Sequence, residues 1–118
     1  LALQIACDMH PLNNLRVLQY IERTLGVTPE AKQAWIEHWN HAGFAALEAH
    51  LSHSTRTGLC CFGDAPTMAD CCLVPQVFNA RRFNVDLSAY PTIVRIDTHL
   101  AMIDEFRRAV PAAQPDAE

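Results

Sequence analysis

Two adjacent arginines, Arg81 and Arg82, lie near the end of a predicted helix and could bind an anionic substrate. Neighbouring residues on a helix point about 100° apart, so only one of the two side chains needs to face a cleft. Alternatively, both arginines face solvent, because cations near a helix C-terminus are stabilised by the helix dipole. The two residues by themselves leave both interpretations open.

His10 and Asn14 form a second polar pair, which lies beside a predicted break in the first helix. Pro11 cannot donate a backbone hydrogen bond and biases His10 away from helical geometry, which makes His10 the expected N-cap of a new helix. Residues four apart share a helix face, so we expect both side chains on one polar surface. A local cap and a solvated amide would explain the same residues without any binding role.

The histidines and cysteines lack the spacing of a metal site. His38 and His41 lie three residues apart, as do His50 and His53, but neither pair has a third ligand nearby, so we expect surface histidines and no metal. The chain has five cysteines, with no Cys-x-x-Cys motif: Cys7, Cys60, Cys61, Cys71 and Cys72. Adjacent cysteines rarely bridge each other, so the pattern predicts buried, reduced thiols, as in a cytoplasmic protein.

Thr67 and Asp70 mark the clearest helix start in the chain. In this spacing the Thr67 hydroxyl can accept from the Asp70 backbone N–H, while the Asp70 carboxylate accepts from the Thr67 N–H. The helix that follows is predicted to be buried and kinked at Pro75. Its early apolar residues are Met68, Cys71, Cys72, Leu73 and Val74. Because the same motif is a plain cap in many helical proteins, it indicates no function by itself.

Caps and apolar periodicity predict helices along the whole chain. Residues 1–7 are expected to end a helix, and further helices are expected over 11–25, 28–52, from 67, from 91 and over 105–110. Gly26 should stop the second helix, whose buried stripe would be Leu15, Leu18, Ile21 and Leu25. The helix from 91 should bury Ile93, Ile96, Leu100 and Ile103. The long helix carries small residues that would let another helix approach closely: Ala42, Gly43, Ala45 and Ala46.

The fold class is predicted to be all-α, because no segment alternates apolar and polar residues as a strand would. A chain of 118 residues is long enough for one domain, expected over 1–111, with a loose tail over 112–118. A net charge of −4 and the lack of long apolar runs argue against nucleic-acid binding and membrane insertion. Because the chain starts with no methionine, in what resembles mid-helix, we expect sequence upstream.

The order of these elements is similar to the C-terminal domain of glutathione S-transferases, and the details resemble the zeta class, the maleylacetoacetate and maleylpyruvate isomerase family. The resemblance covers nearly all of the chain, and the run from Leu73 to Leu87 is its most specific part. Its other motifs are His10-Pro11-Leu12-Asn13-Asn14-Leu15, Gly43-Phe44-Ala45-Ala46-Leu47-Glu48, Thr67-Met68-Ala69-Asp70, Tyr90-Pro91-Thr92-Ile93 and Gln114-Pro115-Asp116.

The resemblance implies a bundle of about five to six helices from a two-domain, homodimeric, cytoplasmic enzyme, whose thioredoxin-like N-terminal domain is absent from this chain. Such an enzyme uses glutathione to isomerise the cis double bond of a maleyl diacid, such as maleylacetoacetate, in the degradation of aromatic amino acids. The thiolate adds to the alkene, the new single bond rotates, and elimination returns the trans product. The dimer would form through the first two long helices, and this chain alone is expected to be inactive.

The resemblance also implies roles for individual residues. Arg82 matches the family's cleft arginine, which would bind a substrate carboxylate or the enolate charge that develops during addition. His10 and Asn14 match positions beside glutathione, and Arg81 is expected to be a surface residue. Leu15 is apolar, whereas some maleylpyruvate-isomerising relatives carry an extra arginine in this region, and the absence of that arginine favours maleylacetoacetate.

Two alternatives remain open for the function. The parent protein could be a generic glutathione transferase that conjugates electrophiles. The chain could instead be a protein-interaction module, as this domain is in translation factors and tRNA synthetases, with Arg82 incidental. The sequence that precedes Leu1 would separate a module from an enzyme.

Overall fold

The computed structural model describes residues 1–117, which form helices and no strand. A π-helix (Gln4–Met9) and a 3-10 helix (His10–Asn13) come first, and a second 3-10 helix (Pro111–Ala113) comes last. Between them lie five α-helices: α1 (Leu15–Arg23), α2 (Pro29–His53), α3 (Met68–Arg82), α4 (Pro91–Leu100) and α5 (Asp104–Ala109). The predicted all-α class is confirmed. In this range no helix combines the length and the apolar character needed to cross a bilayer.

α2 is the longest helix, and α1, α4, the π-helix and the first 3-10 helix all pack against it. Thr28 caps its start as predicted, with the Thr28 hydroxyl accepting from the Ala31 N–H over 3.2 Å. Its buried face combines four apolar residues with one amide, and these are Ile36, Asn40, Phe44, Leu47 and Leu51. α2 is therefore the scaffold on which the other elements are arranged.

The expected close approach to α2 is confirmed at Gly43. The buried side chain of Met9, from the π-helix, occupies the space where a Cβ at Gly43 would stand. Any larger residue at position 43 would therefore displace Met9. The small residues Ala42, Ala45 and Ala46 remain exposed in the described chain.

α3 begins with the predicted capping box, in which the Asp70 carboxylate accepts more bonds than a cap requires. Oδ2 accepts from the Thr67 N–H (2.8 Å) and from the Thr67 hydroxyl (2.7 Å). Oδ1 accepts from the Cys61 N–H (2.8 Å), which ties the preceding loop to the helix. Burial alone would raise the pKa of Asp70, but these hydrogen bonds favour the ionised form and together lower the pKa below its usual value.

The prediction that α3 is buried all round is wrong. Leu73, Val77 and Ala80 are fully buried, whereas Met68 is 76 % exposed and Cys71 is also exposed. The reason is that the π-helix and α4 pack against α3, while the opposite side of the helix faces solvent in this chain. The helix is continuous through Pro75, and the expected kink stays a prediction.

The first α-helix starts four residues later than predicted. Asn14, and not His10, is its N-cap, because the Asn14 side chain accepts from the Arg16 N–H over 3.1 Å. Of the predicted buried stripe, Leu18 and Ile21 are buried, whereas Leu15, the first residue of α1, and Leu25, which lies beyond its end, are exposed. Gly26, with φ of 65°, ends this segment as expected, because its left-handed backbone conformation suits glycine.

Two further predictions fail because of tertiary contacts. Cys60 and Cys61 are buried, and desolvation, with the nearby Asp70 carboxylate, raises the pKa of both thiols, but Cys7 and Cys71 are exposed. His41 is half-buried and not a surface histidine, because its Nδ1 lies 2.7 Å from the Tyr90 hydroxyl. All five cysteines are free thiols.

The C-terminal part of the described chain is only partly buried. Ile103, predicted to be buried, is half-buried and lies beyond the end of α4. Residues 111–117 are exposed, and the Gln114 amide holds the last turn by donating to the carbonyls of Arg108 and Val110. Glu118, the last residue of the predicted tail, lies outside the described residues.

Replacement of Asp70 tests how much the start of α3 depends on its carboxylate. Asp70→Asn should lower the free energy of unfolding at pH 7 by about 2–4 kcal/mol, because three donors lose an ionised acceptor. Since the folded-state pKa of Asp70 is lowered, this contribution is complete above the unfolded pKa of about 4 and disappears as the pH falls through the folded value. Urea titrations at pH 7 and pH 3 should therefore show a smaller difference at pH 3.

Asp64→Asn is the matched control for this experiment. Asp64 is exposed and, within residues 1–117, accepts only from the Leu59 N–H (2.9 Å), so its loss should cost less than about 1 kcal/mol. Equal losses for the two variants would contradict the role assigned to Asp70.

Candidate functional site

Arg82 lies in the last turn of α3, where its side chain is exposed. Its guanidinium carbon lies 6.0 Å from the centre of the Phe83 ring, within the range of a cation–π contact. Within residues 1–117 no carboxylate forms an ion pair with Arg82. The residue therefore presents a cation that is free to bind an anion.

Arg81 lies at the surface as expected, but its side chain also forms an ion pair. Its Nη1 donates to Asp97 Oδ2 over 2.6 Å, and Asp97 is only 6 % exposed. The Arg81 side chain is half exposed, but its charge is already used to pair a nearly buried carboxylate on α4. Of the two adjacent arginines, only Arg82 keeps an unpaired charge.

The sequence contains one signal for this ion pair, the position of Asp97. Asp97 lies on the apolar face of α4, four residues after Ile93 and three before Leu100, both fully buried. An acid on a buried helix face is rarely left unpaired, so the position predicts a basic partner. The identity of the partner could not be predicted, because Arg81 belongs to another helix.

The backbone just after Arg82 is held by a well-defined helix end. Asn84 adopts a left-handed conformation with φ of 56°. The Asn84 N–H donates to Arg81 O and the Val85 N–H to Ala80 O, each over 3.0 Å, the pattern in which a helix closes on a left-handed residue. From α2, the Gln33 amide donates to Phe83 O over 2.8 Å. The backbone beside Arg82 is thus held by contacts both within its own segment and across helices.

His10 and Asn14 do not share one face of an α-helix as predicted. His10 is exposed at the start of the 3-10 helix, and Asn14 is the extended residue that follows it. Asn14 Oδ1 is occupied by the cap bond, while no group within residues 1–117 accepts from Asn14 Nδ2. The segment follows a π-helix, a rare geometry that is frequent at functional sites.

The segment that carries His10 and Asn14 and the end of α3 are both bonded to the beginning of α2. Trp35 Nε1 donates to Leu12 O over 2.9 Å, two residues along α2 from Gln33. In the part of the chain that the structure describes, no hydrogen bond or ion pair joins Arg82 directly to His10 or Asn14. The structure therefore bonds the segments that carry the three candidates to one helix, α2.

Two hollows that lie beside the helices of the core do not include these candidates. One is an apolar groove of about 300 Å³ on the outer side of α3, which we call the α3 groove. It is lined chiefly by Cys71, Val74, Pro75, Phe78, Phe106 and Val110. The other, of about 470 Å³, lies between the π-helix and α2. Across residues 1–117 no three His, Cys, Asp or Glu side chains converge as metal ligands would.

Comparison with known proteins identifies the family. Residues 33–112 match the family described as glutathione S-transferase, C-terminal domain. The chain belongs to this family. The matched residues include α3 with its capping box, the ion pair of Arg81 with Asp97, and Arg82.

Relatives with names that refer to an activity match almost the whole chain. A maleylpyruvate isomerase of Ralstonia sp is 51 % identical over 117 residues, which cover 99 % of this chain and 55 % of the relative. A probable maleylacetoacetate isomerase of Vibrio cholerae is 49 % identical over 117 residues, covering 99 % of this chain and 54 % of the relative. The chain spans about half the length of the curated relatives it matches.

Solved structures show the same fold with high similarity. A maleylpyruvate isomerase in its holo form, described as a bacterial zeta-class glutathione S-transferase, superposes with a TM-score of 0.96 at 50 % identity; the match covers 99 % of this chain and 55 % of that one. A maleylacetoacetate isomerase of Methylobacterium extorquens, with bound malonate and glutathione, superposes with a TM-score of 0.93 at 35 % identity, over 99 % and 55 % of the two chains. The resemblance to the zeta class is therefore confirmed.

Single substitutions should separate the two arginines by their effect on stability. Arg81→Ala should lower the free energy of unfolding by about 1–2 kcal/mol, because it leaves the carboxylate of Asp97 buried without a partner. Arg82→Ala should cost less than about 1 kcal/mol, because only an exposed cation–π contact is lost. Thermal and urea unfolding of both variants measures this, and equal losses would contradict the assignment of the ion pair to Arg81.

Proposed function

We propose that this chain is the helical half of a glutathione-dependent isomerase that converts a maleyl diacid from the cis to the trans form. The observation that carries the proposal is the unpaired, exposed charge of Arg82 beside the neutralised Arg81. The names of the relatives, maleylpyruvate and maleylacetoacetate isomerase, support the same substrate class. Maleylacetoacetate from aromatic amino-acid degradation is the specific substrate that we expect.

Arg82 would act on the charges of the substrate. A guanidinium binds a carboxylate through two parallel N–H donors, which fixes the orientation of a diacid as well as its position. Addition of a nucleophile to a double bond conjugated with a carbonyl group moves negative charge onto the carbonyl oxygen. An arginine near that oxygen would stabilise the charge more in the transition state than in the bound substrate.

His10 and Asn14 would contact glutathione, whose thiolate adds reversibly to the substrate double bond when the cofactor is bound. The residues fit this role, because glutathione carries carboxylates and both side chains can donate hydrogen bonds. Asn14 Nδ2 has no acceptor within residues 1–117, and the His10 side chain is exposed. The glutathione reported in the maleylacetoacetate isomerase structure of Methylobacterium extorquens supports the same cofactor.

The α3 groove would be covered by the other half of the parent protein. The groove is formed almost entirely by apolar atoms, and Phe78 on its wall is 45 % exposed. An apolar surface of this kind normally meets a partner. Since the relatives are about twice as long as this chain, the occupant that we propose is their thioredoxin-like half.

We further propose that the parent is a cytoplasmic homodimer that associates through its first two long helices. The exposed small residues Ala42, Ala45 and Ala46 on α2 support this, because they allow a second helix to approach closely. We retain the division into a domain over 1–111 and a loose tail over 112–118.

Two other functions would give different kinetics. A generic transferase would react with uncharged electrophiles as fast as with a maleyl diacid. An interaction module would show no turnover of either substrate.

Substitution of Arg82 in the full-length protein tests the proposed activity. With glutathione and maleylacetoacetate, Arg82→Ala should lower kcat/KM at least about 100-fold, because the substrate loses its charge partner in the transition state. Arg95→Ala is the matched control, since Arg95 is exposed on α4 and forms no ion pair within residues 1–117. An Arg82→Ala enzyme that is as active as the control would overturn the proposal.

Association of the isolated chain tests the proposed role of the α3 groove. At tens of micromolar the 118-residue chain should form dimers or larger species in sedimentation velocity, because its apolar groove is exposed. Phe78→Glu should reduce this association. The thiol of Cys71 should react with a thiol reagent in the chain alone and be protected in the full-length protein, whereas Cys60 should be unreactive in both. A chain that stays monomeric would count against this proposal.

A further inference from the structure

One side chain from a distant part of the chain bonds the backbone directly beside Arg82. Gln33, in the second turn of α2, donates from Nε2 to the carbonyl oxygen of Phe83 over 2.8 Å. Phe83 is the C-cap of α3 and the residue that follows Arg82. The last carbonyls of a helix have no acceptor role within that helix, so a donor from outside is needed to satisfy them.

Gln33 is itself held in one orientation. Its Nε2 also donates to Glu37 Oε1 over 2.8 Å, one turn further along α2. Because both N–H groups of the amide are engaged, rotation of the side chain would break at least one hydrogen bond. The half-buried amide is therefore a rigid link between α2 and the end of α3.

The remaining contacts at this helix end explain what Gln33 adds. The bonds from Asn84 and Val85 to the last turn are local, so they keep the turn closed without fixing it relative to α2. The ion pair between Arg81 and Asp97 fixes the turn relative to α4. Gln33 supplies the corresponding hydrogen bond to α2, and with it the turn is held from two sides.

We propose that Gln33 is a positioning residue that sets the direction of Arg82 through the backbone of Phe83. This inference rests on the proposed function, in which Arg82 contacts the substrate carboxylate. Gln33 is not part of the buried apolar core, so its loss should leave the bundle folded while the last turn of α3 gains freedom to rotate. A displacement of about 1 Å is enough to reduce catalysis by an order of magnitude or more.

Kinetics of the full-length protein with glutathione and maleylacetoacetate test the proposal. Gln33→Met removes the donor at similar length and should lower kcat/KM about tenfold. Gln33→Lys keeps a donor of comparable reach and should stay within about threefold of the wild type. In an Arg82→Ala background, Gln33→Met should cause no further loss, because two residues that act through one group are not additive.

Glu37→Gln is the matched control, because it keeps an acceptor for Gln33 and does not touch Phe83, and it should change kcat/KM less than about twofold. Losses from Gln33→Met and Arg82→Ala that add fully, or an equal loss in Gln33→Lys, would overturn the inference. Either outcome would mean that Gln33 affects kcat/KM by a route that does not involve the position of Arg82.

Hydrogen exchange separates failure of this inference from failure of the proposed function. The N–H groups of Asn84 and Val85 should exchange about tenfold faster in Gln33→Met than in the wild type, because the helix end opens more often. If Arg82→Ala leaves kcat/KM unchanged, the proposed function is wrong. The hydrogen-exchange rates then still report whether Gln33 holds the helix end. Unchanged exchange in Gln33→Met would overturn the positioning role in either case.

Discussion

The position of α3 depends on the buried carboxylate of Asp70. One oxygen accepts two bonds from Thr67 and the other accepts from the Cys61 backbone, so a single side chain starts the helix and closes the loop that precedes it. Water cannot replace these acceptors at a fully buried site, which makes the ionised carboxylate necessary there. Everything that α3 carries, including Arg82 fifteen residues after the cap, takes its position from this start.

α2 supplies polar contacts at the ends of several neighbouring elements. The carboxylate of Glu48 accepts from the N–H groups of Thr92 and Ile93, which caps the start of α4 from outside. Trp35 bonds the end of the first 3-10 helix, and Gln33 bonds the end of α3. In this bundle the orientation of helix ends is thus decided by side chains of the long helix, in addition to the packing of apolar faces.

The division of roles between two neighbouring arginines follows from a difference of one residue in helix phase. About 100° of rotation directs Arg81 toward Asp97 on α4 and leaves Arg82 without a carboxylate within residues 1–117. A nearly buried carboxylate is costly unless it is paired, so Asp97 keeps Arg81 engaged. The free charge of Arg82 is in this sense a consequence of how α3 packs on α4.

Local sequence was sufficient to predict the all-α class, the caps at Thr28 and Thr67 and the end of a helix at Gly26. Each of these caps and stops depends on residues within one helical turn. The exposed side of α3 and the contact of His41 with Tyr90 could not be predicted, because each depends on which element lies opposite. The start of α1 depends on a local cap bond from Arg16 to Asn14, and it was missed because Pro11 favours an earlier start. The sequence alone, through its motifs, determined the family and the candidates Arg82, His10 and Asn14. Only the tertiary structure decided that Arg81 is neutralised and that Gln33 holds the helix end, because those bonds join residues 16 and 50 positions apart.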